Sequence, residues 1–196
     1  MNKAATKAEL KQTSITEAAL DLFLRQGYAA TSMDAVAAQS GVTKQTVYRY
    51  YPSKKELFTA VLESIARDNS FSHQFGEEAA SSELEKYGRK LLAFHLTPVA
   101  LGIYKLMLTE GNKGDLLKSF YEAGPQRWMT PLIQFIESRW PQLDDSQFHA
   151  QVFAHMILVP RNQLIMQGTK KIQQSEQTLH VRRVVDIFLN GLPITS

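Results

Sequence analysis

Met33-Asp-Ala-Val-Ala-Ala-Gln-Ser-Gly41-Val-Thr-Lys-Gln-Thr-Val-Tyr-Arg-Tyr-Tyr51-Pro52 is the stretch on which the reading of this chain turns. Thr31 or Ser32 can cap a helix that ends near Ser40 and turns Met33, Val36 and Ala37 inward. Gly41 breaks that helix where the chain needs a positive φ that a β-carbon would strain. Thr43 can cap a short helix over 44–51, and the ring of Pro52 stops it. Residues 33–52 therefore read as a helix-turn-helix, with Val36, Ala37, Val42 and Val47 as its packed seam. In such a motif the second helix lies in the major groove of DNA with its N-terminal side chains at base edges. Between Asp34 and Glu56 the sequence holds Lys44, Arg49, Lys54 and Lys55 and no carboxylate. A basic segment of this kind suits a polyanion, although an ordinary solvated face accounts for the charge equally well.

Outward from the motif the spacing stays helical. Ile15, Ala18, Ala19, Leu22 and Phe23 form one amphipathic stripe, which Gly27 ends. Ser53-Lys-Lys-Glu56 reads as a capping box for a fourth helix carrying Leu57, Phe58, Val61, Leu62 and Ile65. Residues 70–82 are polar and small, a loop or frayed end, and Ser82-Glu-Leu-Glu85 offers a second box opening a helix to about Leu96. Helices are predicted over 116–123, 126–140, 146–166 with a kink at Pro160, and 175–190. No alternating strand pattern competes. The expected fold is all-α, an N-terminal three-helix domain with the helix-turn-helix (9–69) followed by a helical domain (70–196).

Composition limits the function classes. The 196 residues are 44% hydrophobic and 21% charged, enough apolar material for a core. With no cysteine, disulfides, thiolate metal sites and cysteine nucleophiles are excluded. His73, His95, His149, His155 and His180 never fall at ligand spacing, so no metal is expected. Phosphate-binding glycine loops, dinucleotide fingerprints and the G-x-S-x-G elbow are missing, which argues against an enzyme and against a cofactor. The basic N-terminus has no apolar h-region and no run spans a bilayer, so a soluble cytoplasmic protein without membrane contact is expected. Lys3, Lys7 and Lys11 read as a solvated tail or a loose basic arm.

The flanks make the motif specific. Ile15-Thr-Glu-Ala-Ala-Leu-Asp-Leu-Phe-Leu-Arg-Gln-Gly-Tyr28, Thr31-Ser-Met-Asp-Ala-Val-Ala37, Gly41-Val-Thr-Lys-Gln-Thr-Val-Tyr-Arg-Tyr-Tyr-Pro-Ser-Lys54 and Glu56-Leu-Phe-Thr-Ala-Val61 closely resemble the tetracycline-repressor (TetR) family of bacterial transcriptional regulators. The remainder, with Phe120-Tyr-Glu-Ala-Gly-Pro-Gln-Arg127, is similar to the C-terminal domain of the AefR-like branch. The resemblance implies a homodimer, a palindromic double-stranded DNA operator bound by the N-terminal domain, and a C-terminal domain for dimerisation and a small-molecule effector. Most relatives of this kind are repressors. A helical ligand-binding or adaptor protein that no longer reads DNA is the alternative.

Helical angles and the resemblance together nominate residues. Lys44, Gln45, Tyr48 and Arg49 share a face; Lys44, Gln45 and Arg49 are assigned to base edges, since Lys and Arg suit guanine and Gln suits adenine. The family often has glycine at the position of Gln45, so this side chain adds readout or reaches a phosphate. Thr43, Thr46, Tyr48 and Tyr50 match positions that hold phosphates, as does Lys54 at the start of the fourth helix, and Thr31 or Ser32 could do the same. The fourth helix is expected to transmit an effector's signal. Phe94, Tyr104, Met107, Phe120, Tyr121, Trp128, Met129 and Met156 are candidates for an apolar effector pocket, with Arg161, Asn162 and Gln163 as polar residues able to orient a ligand. Val152, Met156, Val181, Val184, Val185 and Phe188 on the last two helices are expected at the dimer interface, a monomer core being the alternative.

Overall fold

The computed structural model describes residues 6–68, 73–111, 116–123, 125–167 and 172–192. Those residues form eleven helices and no strand: α1 (Lys7–Gln26), α2 (Met33–Ser40), α3 (Lys44–Tyr50), α4 (Lys54–Asp68), α5 (Ala80–His95), α6 (Pro98–Glu110), α7 (Leu116–Ala123), α8 (Pro125–Arg139), α9 (Ser146–Ile157), α10 (Val159–Gln167) and α11 (Gln174–Gly191). The fold is all-α, as the periodicity predicts. Among the described residues no single helix is long and apolar enough to cross a membrane. The chain divides into two compact units, Met1–Ser70 with Gly102–Gly124, and Phe71–Leu101 with Pro125–Ser196. This differs from the single division expected at 69/70. Ile103, Leu106, Met107 and Leu116 are buried in the same cluster as the N-terminal helices, so most of α6 and all of α7 belong with them.

In the first unit, α1 starts earlier than its apolar stripe. Thr6 and Glu9 form a capping box, Thr6 Oγ1 accepting from the Glu9 amide at 3.2 Å and Glu9 returning the bond at 2.6 Å. Lys7 and Lys11 therefore stand on a helix and not on a loose arm; Lys3 lies outside the described residues. Ile15, Phe23, Val36, Val47, Leu57 and Phe58 are all fully buried, each large apolar side chain contributing about 1.5–3 kcal/mol. Phe23, Tyr28 and Phe58 meet with ring centroids 5.4–5.5 Å apart. Gly41 ends α2 at φ +69°, in the left-handed region, and the Val42 amide bonds back to the Ala37 carbonyl at 3.2 Å.

The second unit is built on α5, α8, α9 and α11 around Tyr87, Leu91, Leu132, Phe153, Ile157, Val181 and Val185. Gly88 permits the close approach: a Cβ there would lie 2.9 Å from Ile157 Cδ1 and 3.0 Å from Val181 Cγ1. The box predicted at 82–85 does not form, because α5 already begins at Ala80 and the Ser82 hydroxyl donates to Glu78. The helix predicted over 146–166 divides at Leu158. Pro160 is the second residue of α10, a place where its missing N–H breaks no helical bond. Asp145 caps α9 from a left-handed conformation, accepting from the Phe148 amide at 2.9 Å.

Candidate nucleic-acid interface

The seven residues of α3 are fixed from one side. Val47 has no solvent exposure and Tyr51 is buried at the end of the helix, which leaves Lys44, Gln45, Tyr48 and Arg49 exposed on the other. Thr43 caps the helix, its Oγ1 accepting from the Thr46 amide at 3.2 Å and lying 2.9 Å from the Thr46 hydroxyl. Gln45, Thr46, Tyr48 and Arg49 line one open depression. Behind α3, α2 is braced on α1 by Ser14 Oγ donating to the Ser40 carbonyl at 3.0 Å and by Gln39 donating to Asp21 at 2.8 Å. The four exposed residues thus sit on a short helix whose inner face is locked, which holds their geometry.

The cations on that face are not equivalent. Lys44 Nζ lies 2.8 and 3.0 Å from the two oxygens of Asp34, an exposed pair across the motif, and the carboxylate holds the ammonium's affinity for its proton above the usual lysine range. Arg49 stacks its guanidinium over the Tyr50 ring at 5.0 Å, and Lys44 Nζ sits 5.9 Å from the Tyr48 ring centre. Ser32 is exposed and caps α2 by accepting from the Ala35 amide at 3.1 Å.

Two expected phosphate ligands have other work. Thr31 is buried, its hydroxyl donating to the Gly27 carbonyl at 2.7 Å and accepting from Gln26 at 3.2 Å. Lys54 Nζ donates to the carbonyls of Tyr28, Ala29 and Thr31 at 2.8, 3.2 and 2.9 Å and lies 4.5 Å from the centre of the Tyr28 ring. An ammonium has three protons, and all three are spent on the α1–α2 turn. Burial pushes this lysine's pKa down, against the opposing pull of Glu110. Glu110 grips the same turn, accepting from the Ala29 amide at 2.7 Å. Lys54 is therefore a clamp for the segment that carries the motif. Neither Asp34 as partner of Lys44 nor Glu110 is visible to a reading based on spacing, since each meets its partner across a turn or from a distant helix.

The expected effector residues separate. Tyr104, Met107, Phe120 and Tyr121 fall in the first unit, where Met107 and Phe120 pack into the core and Tyr121 is exposed. Phe94, Trp128, Met129 and Met156 fall in the second, so the eight do not share one hydrophobic cluster. Phe94 and Trp128 flank His95, which Arg161 approaches at 3.4 Å. Of the expected interface residues, Val181, Val184, Val185 and Phe188 are buried inside the chain itself against α5 and α9 and cannot also face a partner; Val152 and Met156 are half-buried. The outward apolar residues are instead Leu179 and Ile187 on α11, Phe148 on α9, and Val159 and Met166 on α10. No group of three or more potential metal-ligating side chains occurs among the described residues.

Comparison with known proteins agrees with this architecture. Residues 15–61 match the family described as bacterial regulatory proteins, tetR family, and residues 82–191 match the C-terminal domain of the AefR-like transcriptional repressors. The transcriptional repressor SCO4008 of Streptomyces coelicolor is 33% identical over 123 residues, 63% of this chain and 61% of that repressor's length. The transcriptional regulator YvaF of Bacillus subtilis is 27% identical over 183 residues, covering 87% of this chain and 90% of its own. Among solved structures, the flavonoid-responsive regulator FrrA superposes with a TM-score of 0.78 at 26% identity, over 94% of this chain and 98% of its own. A regulator from Mesorhizobium loti gives 0.75 at 24% identity, over 95% and 98%. A sequence that matches both family domains in order, on an all-α fold with an exposed second helix in its helix-turn-helix, belongs to the bacterial tetR family: the chain is a DNA-binding transcriptional regulator and not an enzyme.

Proposed function

We propose that this regulator is a repressor that binds a palindromic operator as a homodimer and is released from it by a small-molecule effector. The observation that carries the reading is the outer face of α3, where Gln45, Tyr48 and Arg49 stand exposed over a fully buried Val47. Gln45 and Arg49 carry the hydrogen-bonding groups suited to adenine and guanine edges, with Lys44 joining them once it exchanges Asp34 for DNA. Thr43, Thr46, Tyr48, Tyr50 and Ser32 position the motif on phosphates. The first unit serves DNA, and the second serves dimerisation and the effector.

For the dimer we assign the outward face of the last helices. Phe148 on α9, Val159 on α10 and Leu179 and Ile187 on α11 are exposed apolar residues, and Val152 lies half-buried one turn after Phe148. Exposed apolar residues on these last three helices suit an isologous pairing with the same face of a second copy. An effector of aromatic character is supported by the likeness to FrrA, a regulator named as flavonoid-responsive.

The test is selection of bound genomic fragments at a fixed salt concentration, followed by footprinting and sedimentation. The expected outcome is an inverted repeat with half-sites about 34–36 Å apart or a multiple of that, occupied by an even number of chains. A single asymmetric site bound by a monomer would overturn the proposal.

A further inference from the structure

His95 closes α5 deep in the second unit. It is 91% buried by its 9% residual exposure, and Arg161, the third residue of α10, is 5% exposed. The Arg161 NH1 group lies 3.4 Å from His95 Nδ1. A guanidinium only donates, so Nδ1 accepts and the ring proton resides on Nε2. That Nε2 is buried without a hydrogen-bond partner among the described residues. A buried donor left unmatched costs about 1–3 kcal/mol, which makes a neutral imidazole N–H here a cost to the chain alone and a ready contact for an added acceptor.

The surroundings define what that acceptor belongs to. Trp128 meets the imidazole edge-on at 5.6 Å between centroids and Phe94 at 5.1 Å. Both rings are only half-buried. The Trp128 backbone is itself fixed, its carbonyl accepting from Tyr87 Oη at 2.6 Å. Asn162 accepts from Arg161 Nε and NH2 at 3.1 and 2.9 Å, which orients the guanidinium with its NH1 edge toward the histidine. Burial and the adjacent Arg161 charge push the His95 pKa down to about 3, so near neutral pH the ring stays an uncharged donor. The guanidinium charge beside it favours an anionic oxygen over a neutral one.

We propose that His95 and Arg161 form the polar anchor of a small-molecule site in the second unit, and that the site takes an aromatic ligand bearing one anionic oxygen group. The assignment rests on the effector reading above for its purpose, and on the geometry of these residues for its chemistry. The aromatic body packs against Trp128 and Phe94, and the anionic oxygen accepts from His95 Nε2–H beside the Arg161 guanidinium. Nothing covalent is required.

Two dyes with one skeleton test it on the full chain. Anilinonaphthalene sulfonate carries the anionic oxygens; N-phenylnaphthylamine lacks them. Fluorescence titration should give one saturable site per chain with at least about tenfold tighter binding of the sulfonate. His95→Phe keeps an aromatic ring and removes the donor, and should weaken the sulfonate about tenfold while leaving the neutral dye within twofold. Arg161→Met should do the same; if circular dichroism shows it unfolded, His95→Phe and the wild-type dye preference decide alone. Equal affinities for the two dyes, no saturable site, or a sulfonate affinity unchanged in His95→Phe would overturn the anchor. Operator affinity is then measured with the sulfonate bound: an unchanged value would overturn release by a ligand at this site while leaving the anchor standing.

Discussion

At the scale of single residues, the two lysines nearest the motif exchange the roles that charge alone suggests. Lys44 is tied to Asp34 in an exposed pair, with side-chain exposures of 60% and 63%. Such pairs contribute little to stability because water screens them. Near DNA the same carboxylate matters more, since it repels phosphate and occupies the first cation of the reading helix. Asp34→Asn should therefore leave thermal stability nearly unchanged, tighten binding to every duplex by removing a repelling charge, tighten it most on the operator whose base edges Lys44 reaches, and steepen the salt dependence by roughly one unit. Binding isotherms over a salt series check this, and unchanged or weaker binding would contradict it. Gln45→Ala should act in the opposite sense, costing on the order of 1–3 kcal/mol and relaxing preference at particular base pairs. Lys54→Met should show a third pattern. Three carbonyls of the α1–α2 turn lose their donor, so stability should fall by on the order of 1–2 kcal/mol, the lower part of the range because solvent reaches the site. Its salt slope should stay that of wild type; a slope shallower by one would return Lys54 to the phosphates.

At the scale of elements, α11 shows why a stripe is easier to read than its partner. Val181, Val184, Val185 and Phe188 follow helical spacing, and spacing says only that something covers them. The structure covers them with α5 and α9 of the same chain. The glycine at 88, in the middle of α5, is the one residue that hints at this close approach, and a lone helical glycine has many readings. The two faces of α11 give contrasting variants. Phe188→Glu buries a charge in the core and should unfold the second unit. Ile187→Glu places a charge on an exposed position and should give a folded monomer with weakened operator binding. Sedimentation and circular dichroism on both variants separate the faces, and a dimeric Ile187→Glu protein would move the interface elsewhere. The helix-turn-helix was legible for the opposite reason: Ser32, Gly41, Thr43 and Val47 make their defining contacts within a few residues in sequence. The pairs Lys54 with the turn, Glu110 with Ala29, and His95 with Arg161 span 23 to 81 residues, and no local rule reaches that far.

At the scale of the whole molecule, the division into two units distributes acid sensitivity unevenly. All five histidines, and both tryptophans, Trp128 and Trp140, belong to the second unit. His95 is held neutral by burial and by Arg161, and His73 by burial and the charge of Lys90, opposed by Glu83 and helped by Lys86. Neither nitrogen of His73 has a hydrogen-bond partner among the described residues. A histidine whose folded pKa lies below its unfolded value binds its proton more readily once the chain unfolds. The stability it contributes is therefore complete above the unfolded pKa of about 6.5 and is lost as pH falls below it toward the folded value, about 3 for His95. Each such group removes at most about 1.4 kcal/mol per pH unit across that window. Between pH 6.5 and 5, before most carboxylates protonate, the second unit should weaken while the first holds. Urea titrations followed by tryptophan fluorescence report the second unit alone, and their midpoint should fall steadily over this interval. His95→Phe removes one of the two titrating rings and should flatten that slope. Amides in α1 to α3 should keep their hydrogen-exchange protection throughout. A fluorescence midpoint constant from pH 6.5 to 5 would mean that the imidazoles of His73 and His95 are not buried as neutral groups.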